Sequence, residues 1–368
     1  MRRAVIWFLF AAVAAAGIVA DEVGTVSYVE GFPEIVREGT DVYEEIDFGF
    51  RIENFDVVRT DERSSLEIDF DPETGIDASV GVEPDTHFAV ELSSLRTEQT
   101  GAIELIAGSV SVTARRLTGR SRFEIRTPAA IMGVRGTVFD VTGAPGGELL
   151  VTTEEGLVEV TDQDGRSLFA SPGEAVEVDE ESALLRTVRY DREQIAAFRQ
   201  QWRAERLERF IENAPRILSF YGRRYLRARE DFVSAYADLM SHRDLVDEWI
   251  DEARRGVRPR AGSLRERREF VAALRNVRLA MFRLEPVMAR LDQMAPFVRE
   301  FVATVEIEPG VTAADLYGTV NDDRRLMRRR VAEVRRVLKL FSLRNGGETP
   351  FDFIERVQDR IEERREDE

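Results

Sequence analysis

The chain has 368 residues, of which 43% are hydrophobic, so it is long enough to form two domains with ordinary cores. It contains no cysteine, which excludes disulfides, thiolate metal sites, cysteine nucleophiles and a lipoprotein anchor. The net charge of −17 is unevenly spread, with 36 acidic residues against 12 arginines in residues 21–181 and 33 against 38 basic residues in residues 182–368. This asymmetry predicts a domain boundary near residue 185.

The first twenty residues have the pattern of a secretory signal peptide. Arg2 and Arg3 precede an apolar stretch over residues 4–17, and the small residue Ala20 is followed by Asp21. We expect cleavage after Ala20, which would place the mature protein in the periplasm or cell envelope. An uncleaved membrane anchor is the alternative, because about 17 apolar residues are near the lower limit for a bilayer span.

The following region, residues 21–183, is predicted to be an all-β domain. Glycines open successive segments in which valines alternate with polar residues, and such alternation turns one face of a strand towards a core. These segments begin at Gly24, Gly108, Gly136, Gly156 and Gly173. Four further strand candidates lie at residues 65–70, 87–92, 102–106 and 122–126. Short strands with closely spaced turns predict a roll, a sandwich or a solenoid-like stack.

One stretch of this region, residues 126–141, carries the most information. A proline-fixed turn leads through a glycine-hinged connector into a new alternating strand. The residues of the motif are Thr127, Pro128, Gly133, Arg135, Gly136, Thr137 and Phe139, and Gly156 and Gly173 stand in comparable turns further on. We predict that they shape the backbone and the core rather than perform chemistry.

The motif resembles the signature of the FecR domain, a periplasmic sensing module of bacterial iron-uptake regulators and other envelope proteins. The resemblance extends over the whole β region in order and spacing, through residues 57–60, 64–68, 105–110, 156–160 and 171–174. It implies a FecR-like roll or solenoid-like fold and a sensing or ligand-binding role.

The chain departs from this family pattern in two ways. The loop of residues 71–77 is longer than the usual hairpin turn, which leaves any family contact at that hairpin in doubt. Regulators of the family also carry a cytoplasmic anti-sigma segment and a membrane helix before the domain. Here the domain begins four residues after the expected cleavage site, so we expect a binding module without direct control of transcription.

The last region, residues 186–366, is predicted to be a bundle of three or four long helices with coiled-coil-like heptads. Its apolar residues recur every seven residues in the first stripe and at alternating steps of four and three in the other two, which keeps one stripe facing a partner helix. The three stripes are Leu218, Tyr225, Phe232, Leu239 and Val246; Phe270, Leu274, Val277, Met281, Leu284, Met288, Leu291, Ala295, Val298, Val302 and Val305; and Met327, Val331, Val334, Leu338 and Phe341. Shorter helices are predicted at residues 195–202 and 351–361.

Cap and breaker residues predict where these helices begin and end. Asn213 followed by Pro215 predicts the start of the first long helix, and Asn321–Asp323 predicts the start of the last. Pro286 and Pro296 predict a kink or a break within the longest stripe, because an interior proline costs about 3 kcal/mol. The glycine- and proline-containing residues 256–263 predict the loop between two helices.

No residue pattern points to a catalytic, cofactor-binding or metal site. The only histidines, His87 and His242, lie in different regions, and neither a phosphate-binding loop nor a nucleophile elbow occurs. We therefore predict no cofactor. Calcium binding by the acidic loop at residues 71–77 is an open alternative, although its spacing is not that of an EF-hand.

These observations predict an exported, non-enzymatic envelope protein that acts as a binding or scaffold module. Its partner would be an envelope protein or polymer and not nucleic acid, because the protein is exported. Contact of the arginine-rich residues 324–336 with a membrane surface and homo-oligomerisation through a helical stripe are further hypotheses. The alternative function is an enzyme that acts on envelope carbohydrate or peptidoglycan, which a pair of carboxylates in one cleft would favour.

Overall fold

The computed structural model confirms an all-β N-terminal part followed by a helical part. It describes residues 22–37, 41–74, 77–94, 99–115, 122–134, 136–255, 264–301 and 304–344. The predicted signal peptide at 1–20, Arg135, the loop at 256–263 and the closing segment at 351–361 lie outside the described residues.

Eighteen strands of the described chain build the β part. In chain order they are β1 (Glu22–Glu30), β2 (Glu34–Arg37), β3 (Asp41–Tyr43), β4 (Arg51–Glu53), β5 (Val57–Arg59), β6 (Ser65–Phe70), β7 (Ala78–Val82), β8 (His87–Ser94), β9 (Gln99–Ala107), β10 (Ser109–Ala114), β11 (Arg122–Arg126), β12 (Ala130–Val134), β13 (Val138–Gly143), β14 (Leu149–Glu155), β15 (Val158–Asp162), β16 (Ser167–Ala170), β17 (Glu174–Asp179) and β18 (Leu184–Arg189). All four of the additional strand candidates are confirmed, and β6 and β11 have the predicted bounds.

The strands form two nine-stranded sheets that share one core. The first sheet has the order β18-β17-β14-β13-β10-β7-β6-β1-β4, and the second has the order β16-β15-β12-β11-β9-β8-β5-β2-β3. The chain moves back and forth between the sheets as it advances along both, and every pairing is antiparallel except β9 with β11. Buried Val26, Ile68 and Phe139 of the first sheet belong to the same apolar cluster as Phe88 and Ile125 of the second. This roll-like double sheet confirms the predicted fold class.

The glycines that precede the later strands act as turn residues. Gly108, Gly136, Gly156 and Gly173, which precede β10, β13, β15 and β17, all have positive φ. At Gly136 φ is +70°, in the left-handed region that other L-residues seldom adopt. From there the chain enters β13, where Phe139 and Val141 are fully buried.

We expect Gly136→Val to destabilise the β part by about 1–3 kcal/mol, because a β-branched residue is strained at positive φ. A thermal melt should show the midpoint lowered by several degrees. The control is Gly133→Val in the same motif, since Gly133 lies within β12 at a φ outside the left-handed region and nothing lies within 4 Å of an added Cβ. Equal stability of the two variants would show that the Gly136 backbone carries no constraint.

The helical part consists of four helices and a small hairpin within the described residues. They are α1 (Ile195–Met240), α2 (Arg243–Arg254), α3 (Leu264–Phe301), the hairpin strands β19 (Glu306–Glu308) and β20 (Val311–Thr312), and α4 (Ala313–Arg344). Apart from Ala295 and Val305, which are partly exposed, and Val298 and Val302, whose side chains are not described, the predicted stripe residues are buried. A coiled-coil arrangement of these stripes stays a prediction, and the hairpin was not predicted.

Two predicted helix starts are wrong. The segment at 195–202 and the first long helix are one continuous α1 of 46 residues with Pro215 in its interior. Pro215 has no N–H to donate to the carbonyl of Ile211, and both residues lie on the exposed side of α1. Asn213 is therefore an interior residue whose side chain donates to the carbonyl of Arg209.

The last helix begins earlier than predicted. Thr312 caps it, because its Oγ1 accepts from the backbone N–H of Asp315 while the Asp315 carboxylate accepts from the backbone N–H of Thr312 at 2.9 Å. Asn321–Asp323 consequently lies inside α4, where Asp323 pairs with Arg229 of α1. The break considered at Pro286 and Pro296 does not occur, since α3 runs continuously through both.

The helices lie against the outer faces of both sheets. The early turns of α1 cover the first sheet, where Trp202 packs on Leu150 and Ala175. Helix α3 covers the second sheet, where Ala289 packs on Ala89. The change from strand to helix falls between β18 and α1, and the domain boundary near residue 185 stays a prediction.

Candidate functional site

Ion pairs join carboxylates of the acidic β part to basic side chains of the helices. The carboxylates come from the strands and turns of the two sheets, and the cations come from α1, α3 and α4. The pairs are Asp140 and Glu154 with Arg199, Glu83 with Arg203, Glu177 with Arg206, Glu181 with Arg216, Glu180 with Arg224, Glu91 and Glu104 with Arg278, and Glu53 with Lys339. The opposite charges of the two parts therefore hold the helices in register on the sheets.

A large groove opens between the second sheet and the helices α1 and α3. Its volume is about 900 Å³, which is within the range of small-molecule sites. We call it the sheet–helix groove. The sheet side is lined by Glu91, Ala102, Glu104, Arg126, Thr127, Pro128, Ala130, Ile131, Thr161, Asp162 and Gln163, and the helix side by Arg224, Arg227, Ala228, Asp231, Arg278, Leu279, Phe282, Arg283 and Val287.

The proline turn of the sequence motif forms one wall of this groove. The Thr127 hydroxyl accepts from the backbone N–H of Ala130 at 2.9 Å and donates to the Ala130 carbonyl at 2.8 Å, which closes the turn between β11 and β12. The side-chain amide of Gln163 donates to the Pro128 carbonyl from the neighbouring turn after β15. This turn carries Ile131, which is 45% exposed, into the groove.

A buried charge triad lies at the back of the groove. Arg278 of α3 donates to Glu91 of β8 and, at 3.1 Å, to Glu104 of β9, and all three side chains are buried. Burial raises the pKa of Glu104 to about 7, since the nearby Arg278 offsets this only in part and the charge of Glu91 adds to it. Burial also opposes ionisation of Glu91, but Arg278 outweighs it and holds the pKa of Glu91 below its usual value.

The raised pKa of Glu104 predicts a pH-dependent stability. A carboxyl whose pKa rises from 4.5 when unfolded to about 7 when folded stabilises the protein below pH 4.5, and this stabilisation is lost as the pH rises through about 7. We expect the free energy of unfolding, measured with urea at pH 5 and pH 8, to fall more steeply for the wild type than for Glu104→Gln. Glu159→Gln, which changes an exposed carboxylate on β15, should keep the wild-type slope.

Arginines surround the mouth of the groove. Arg224 pairs with Glu180 at 2.7 Å, and Arg126 pairs with Glu124 at 2.9 Å. Arg227 of α1 and Arg283 of α3 are both exposed. The mouth therefore combines arginines already held by carboxylates with arginines that face solvent.

The structure separates the remaining motif residues from the groove. Gly133, Gly136 and Thr137 belong to β12 and the turn that leads to β13, and Phe139 is buried in the shared core. Gly156 and Gly173 stand in the turns before β15 and β17. Only Thr127 and Pro128 of the predicted motif residues line the groove, and Arg135 lies outside the described residues.

The two histidines lie in different parts of the protein and do not form a common site. His87 begins β8 beside Arg59, and burial together with that arginine lowers the pKa of His87 well below its usual value. It lines a second groove of about 760 Å³ on another side of α3. His242 is partly exposed between α1 and α2, where its ring lies edge-on to Phe270.

The arginine-rich stretch of α4 mainly pairs within the helical part. Arg324 and Arg328 both bind Asp292 of α3, and Arg335 binds Glu285. Among the described residues these pairs stay within the helical part, whereas the single lysine of the chain, Lys339, pairs with Glu53 of the β part.

The described residues offer no obvious metal site. Across the described ranges, no group of three or more histidine and acidic side chains is placed to hold a metal ion. In the acidic loop, Asp71 pairs with Arg51 at 3.1 Å and Asp77 pairs with Arg115 at 3.3 Å. None of the helices described here has the length and apolar character needed to cross a membrane.

The sequence carries a local signal for the two carboxylates of the triad. Glu91 and Glu104 each alternate with core residues, such as Val90 and Ile103, in otherwise apolar strands. Alternation places the carboxylates on the outer face of the second sheet. Sequence alone did not show that α3 would cover this face and supply Arg278.

Comparison with known proteins confirms the family resemblance. Residues 56–159 match the family model described as FecR protein. The matched segment contains β5 to β14, the proline turn and both carboxylates of the triad. No curated protein matches the chain.

Two crystal structures of a protein from Parabacteroides distasonis ATCC 8503, described as a "putative anti-sigma factor", are similar to part of the chain. The structure at 2.50 Å resolution has a TM-score of 0.33 at 16% identity and covers 39% of this chain and 63% of that chain. The structure at 1.65 Å resolution has a TM-score of 0.32 at 15% identity with the same coverage. The likeness thus spans less than two thirds of either protein.

Proposed function

We propose that this chain, whose residues 56–159 form a FecR-type domain, is an exported and non-enzymatic sensing module that binds its ligand in the sheet–helix groove. One observation carries the proposal: the proline turn of the FecR motif and the helices α1 and α3 line the same groove of about 900 Å³. A ligand in this groove would contact both parts of the protein at once. Its occupancy could therefore change how the helices sit on the domain.

The composition of the groove supports ligand binding. Small side chains at Ala102, Ala130 and Ala228 leave space between the sheet and the helices. Apolar side chains of Ile131 and Leu279 are 45% and 39% exposed beside polar and charged groups. Apolar walls with a few placed polar groups are typical of binding pockets.

The alternative function is an enzyme that uses paired carboxylates. The two carboxylates of the triad are the candidates for such a pair. Glu91 and Glu104 line one groove, and their pKa values move in opposite directions, as in an acid–base pair. Both carboxylates, however, are buried and bind the same Arg278. This arrangement favours a structural role, because a nucleophile or general acid needs an oxygen that can reach a substrate.

The binding proposal can be tested by filling the groove. In the variant Ile131→Trp/Leu279→Trp two half-exposed apolar residues become larger, so the groove shrinks while the fold should persist. Wild type and variant are incubated with envelope extract and analysed by native mass spectrometry. We expect the wild type to retain a ligand or a partner of defined mass and the filled variant to lose it.

The matched control is Leu157→Trp, which enlarges a 51% exposed apolar residue outside the groove lining. This control should bind like the wild type. Retention of the same mass by the filled variant, or no retained mass in the wild type, would contradict the groove as the binding site.

The export part of the proposal rests on the pattern of residues 1–21 and has its own test. N-terminal sequencing of the protein from a cell fractionation should give a chain that starts near Asp21 in the periplasmic or envelope fraction. A chain that keeps Met1 in the membrane fraction would instead support the anchor. The partner would then be an envelope protein, polymer or smaller envelope molecule.

A further inference from the structure

We propose that the ligand of the sheet–helix groove is an amphipathic organic anion, which consists of a flexible apolar body and one carboxylate-like head. This inference rests on the proposed function, since it names the chemistry of the molecule that the groove would bind. It follows from two features of the same groove: cations without a carboxylate partner and an exposed apolar strip next to them.

The first feature is the pairing of the arginines that line the groove. Arg126, Arg224 and Arg278 each bind a carboxylate of the β part. In the described part of the chain, Arg227 and Arg283 have no hydrogen bond or ion pair to a carboxylate, and both are exposed at the mouth. In this they differ from the three other arginines that line the groove.

The acidic groups of the mouth do not neutralise these two arginines. Asp162 is held by Arg166, with its Oδ2 2.5 Å from the guanidinium. Asp231 lies one helical turn beyond Arg227, but the two form no ion pair in the described structure. Among the described charged groups of the mouth, the two arginines therefore stand against one further carboxylate, Asp231. This excess of positive charge at the mouth favours an anionic ligand.

The second feature is an apolar strip that borders the arginines. Ile131 of β12 and Leu279 of α3 face the groove with 45% and 39% of their surfaces exposed, and Phe282 is partly exposed beside them. Leu279 lies one turn before Arg283 on the same helix, so an apolar and a cationic side chain are presented on one helix face.

Together, the two features favour an amphipathic anion over a small inorganic anion and over a neutral amphiphile. Guanidinium groups bind a carboxylate through paired, charge-assisted hydrogen bonds, which gives the head a defined place. The apolar strip contributes to the binding free energy only when an apolar body covers it and removes it from water. A small inorganic anion would leave the strip exposed, and a neutral amphiphile would leave both arginines without a partner.

Isothermal titration calorimetry with dodecanoate below its micelle concentration tests this directly on the full mature chain. We expect saturable binding of one dodecanoate per chain, at least tenfold tighter than binding of dodecyl maltoside at submicellar concentration. Acetate at the same concentrations should give no measurable heat of binding.

Two variants locate the head and the body of the ligand. Arg227→Gln/Arg283→Gln should weaken dodecanoate binding at least tenfold and leave dodecyl maltoside unchanged, and Ile131→Ser/Leu279→Ser should weaken both. The matched control, Arg325→Gln/Arg329→Gln, removes two exposed arginines of α4 outside the groove and should bind dodecanoate like the wild type. Thermal melts of each variant confirm that it is folded.

Failure of the ligand chemistry and failure of the groove as a binding site give different results. If dodecanoate does not saturate the wild type, or if the control weakens binding as much as the groove variant, the ligand is not an amphipathic anion bound by these arginines. If the groove-filling variant still loses the mass retained from envelope extract, the groove remains a binding site and only its ligand chemistry is wrong.

Discussion

Arg278→Ala is expected to destabilise the protein by about 3–5 kcal/mol, because it leaves two buried carboxylates without their shared cation. In the wild type, Arg278 binds both Glu91 and Glu104 at the junction of the second sheet with α3. Without it, desolvation and mutual repulsion both oppose ionisation of the two carboxylates. Urea unfolding at pH 8 measures the loss.

The same variant should recover stability in acid. Once Arg278 is gone, the folded-state pKa of each carboxyl lies above its unfolded value, so the folded protein binds more protons than the unfolded chain. Stability must then rise as the pH falls from 8 to 5. The triple variant Arg278→Ala/Glu91→Gln/Glu104→Gln should regain most of the loss at pH 8, since it removes the unpaired charges.

The control for this experiment is Arg283→Ala on the same helix. Arg283 is exposed and lies at the groove mouth, so its removal should change stability by less than about 0.5 kcal/mol. If the two alanine variants are equally stable, the triad does not hold α3 on the sheet.

Gly108→Ala is expected to destabilise the protein by about 2–5 kcal/mol through two additive effects. Gly108 has φ +94°, which strains any residue with a side chain. An added Cβ would also lie 2.5 Å from the Cα of Thr86 and 2.6 Å from the carbonyl oxygen of Asp85, both of which belong to the backbone and cannot rotate away. Thermal and urea unfolding both measure the loss.

A matched substitution separates this steric effect from the general effect of replacing glycine. Gly133→Ala adds the same methyl group within β12, where nothing lies within 4 Å of the new atom. It should be neutral or slightly stabilising, because alanine restricts the unfolded chain more than glycine does. A neutral Gly108→Ala would mean that the connection between β9 and β10 can relax away from Thr86.

The positions of these residues connect stability with the proposed sensing role. The triad that joins α3 to the second sheet also lines the groove in which we propose that the ligand binds. A ligand that contacts Arg283 and Leu279 would touch the helix that Arg278 holds. Ligand binding and the attachment of the helices are therefore expected to be coupled. The pH dependence of the free energy of unfolding, with and without bound dodecanoate, would measure this coupling.

Much of the architecture was contained in local patterns of the sequence. Alternating valines with glycine turns predicted the strands of the β part, and the bounds of β6 were those expected. The apolar stripes that predicted the helices are largely buried in the structure. Such predictions succeed because the spacing of apolar residues and the choice of turn residues depend only on neighbours in the chain. They do not depend on which element finally covers the apolar face.

Helix ends were less predictable, because they depend on what surrounds them. Asn213 and Pro215 formed a convincing local start signal, yet α1 continues through them while its buried face packs against α3. The packing of a long apolar face outweighs the cost of one proline on the exposed side of the helix. The cap of α4, Thr312 with Asp315, gives a weaker local signal than the acidic run at Asn321–Asp323 that follows it.

The candidate site was decided almost wholly by tertiary structure. The sequence determined the proline turn, the acidic character of the β part and the excess of arginine in the helices. It did not determine which carboxylate meets which arginine, because Glu104 and Arg278 are 174 residues apart and meet only when α3 lies on the second sheet. Ion pairs, a shifted pKa and a groove between two parts are properties of that contact, and no local pattern encodes them.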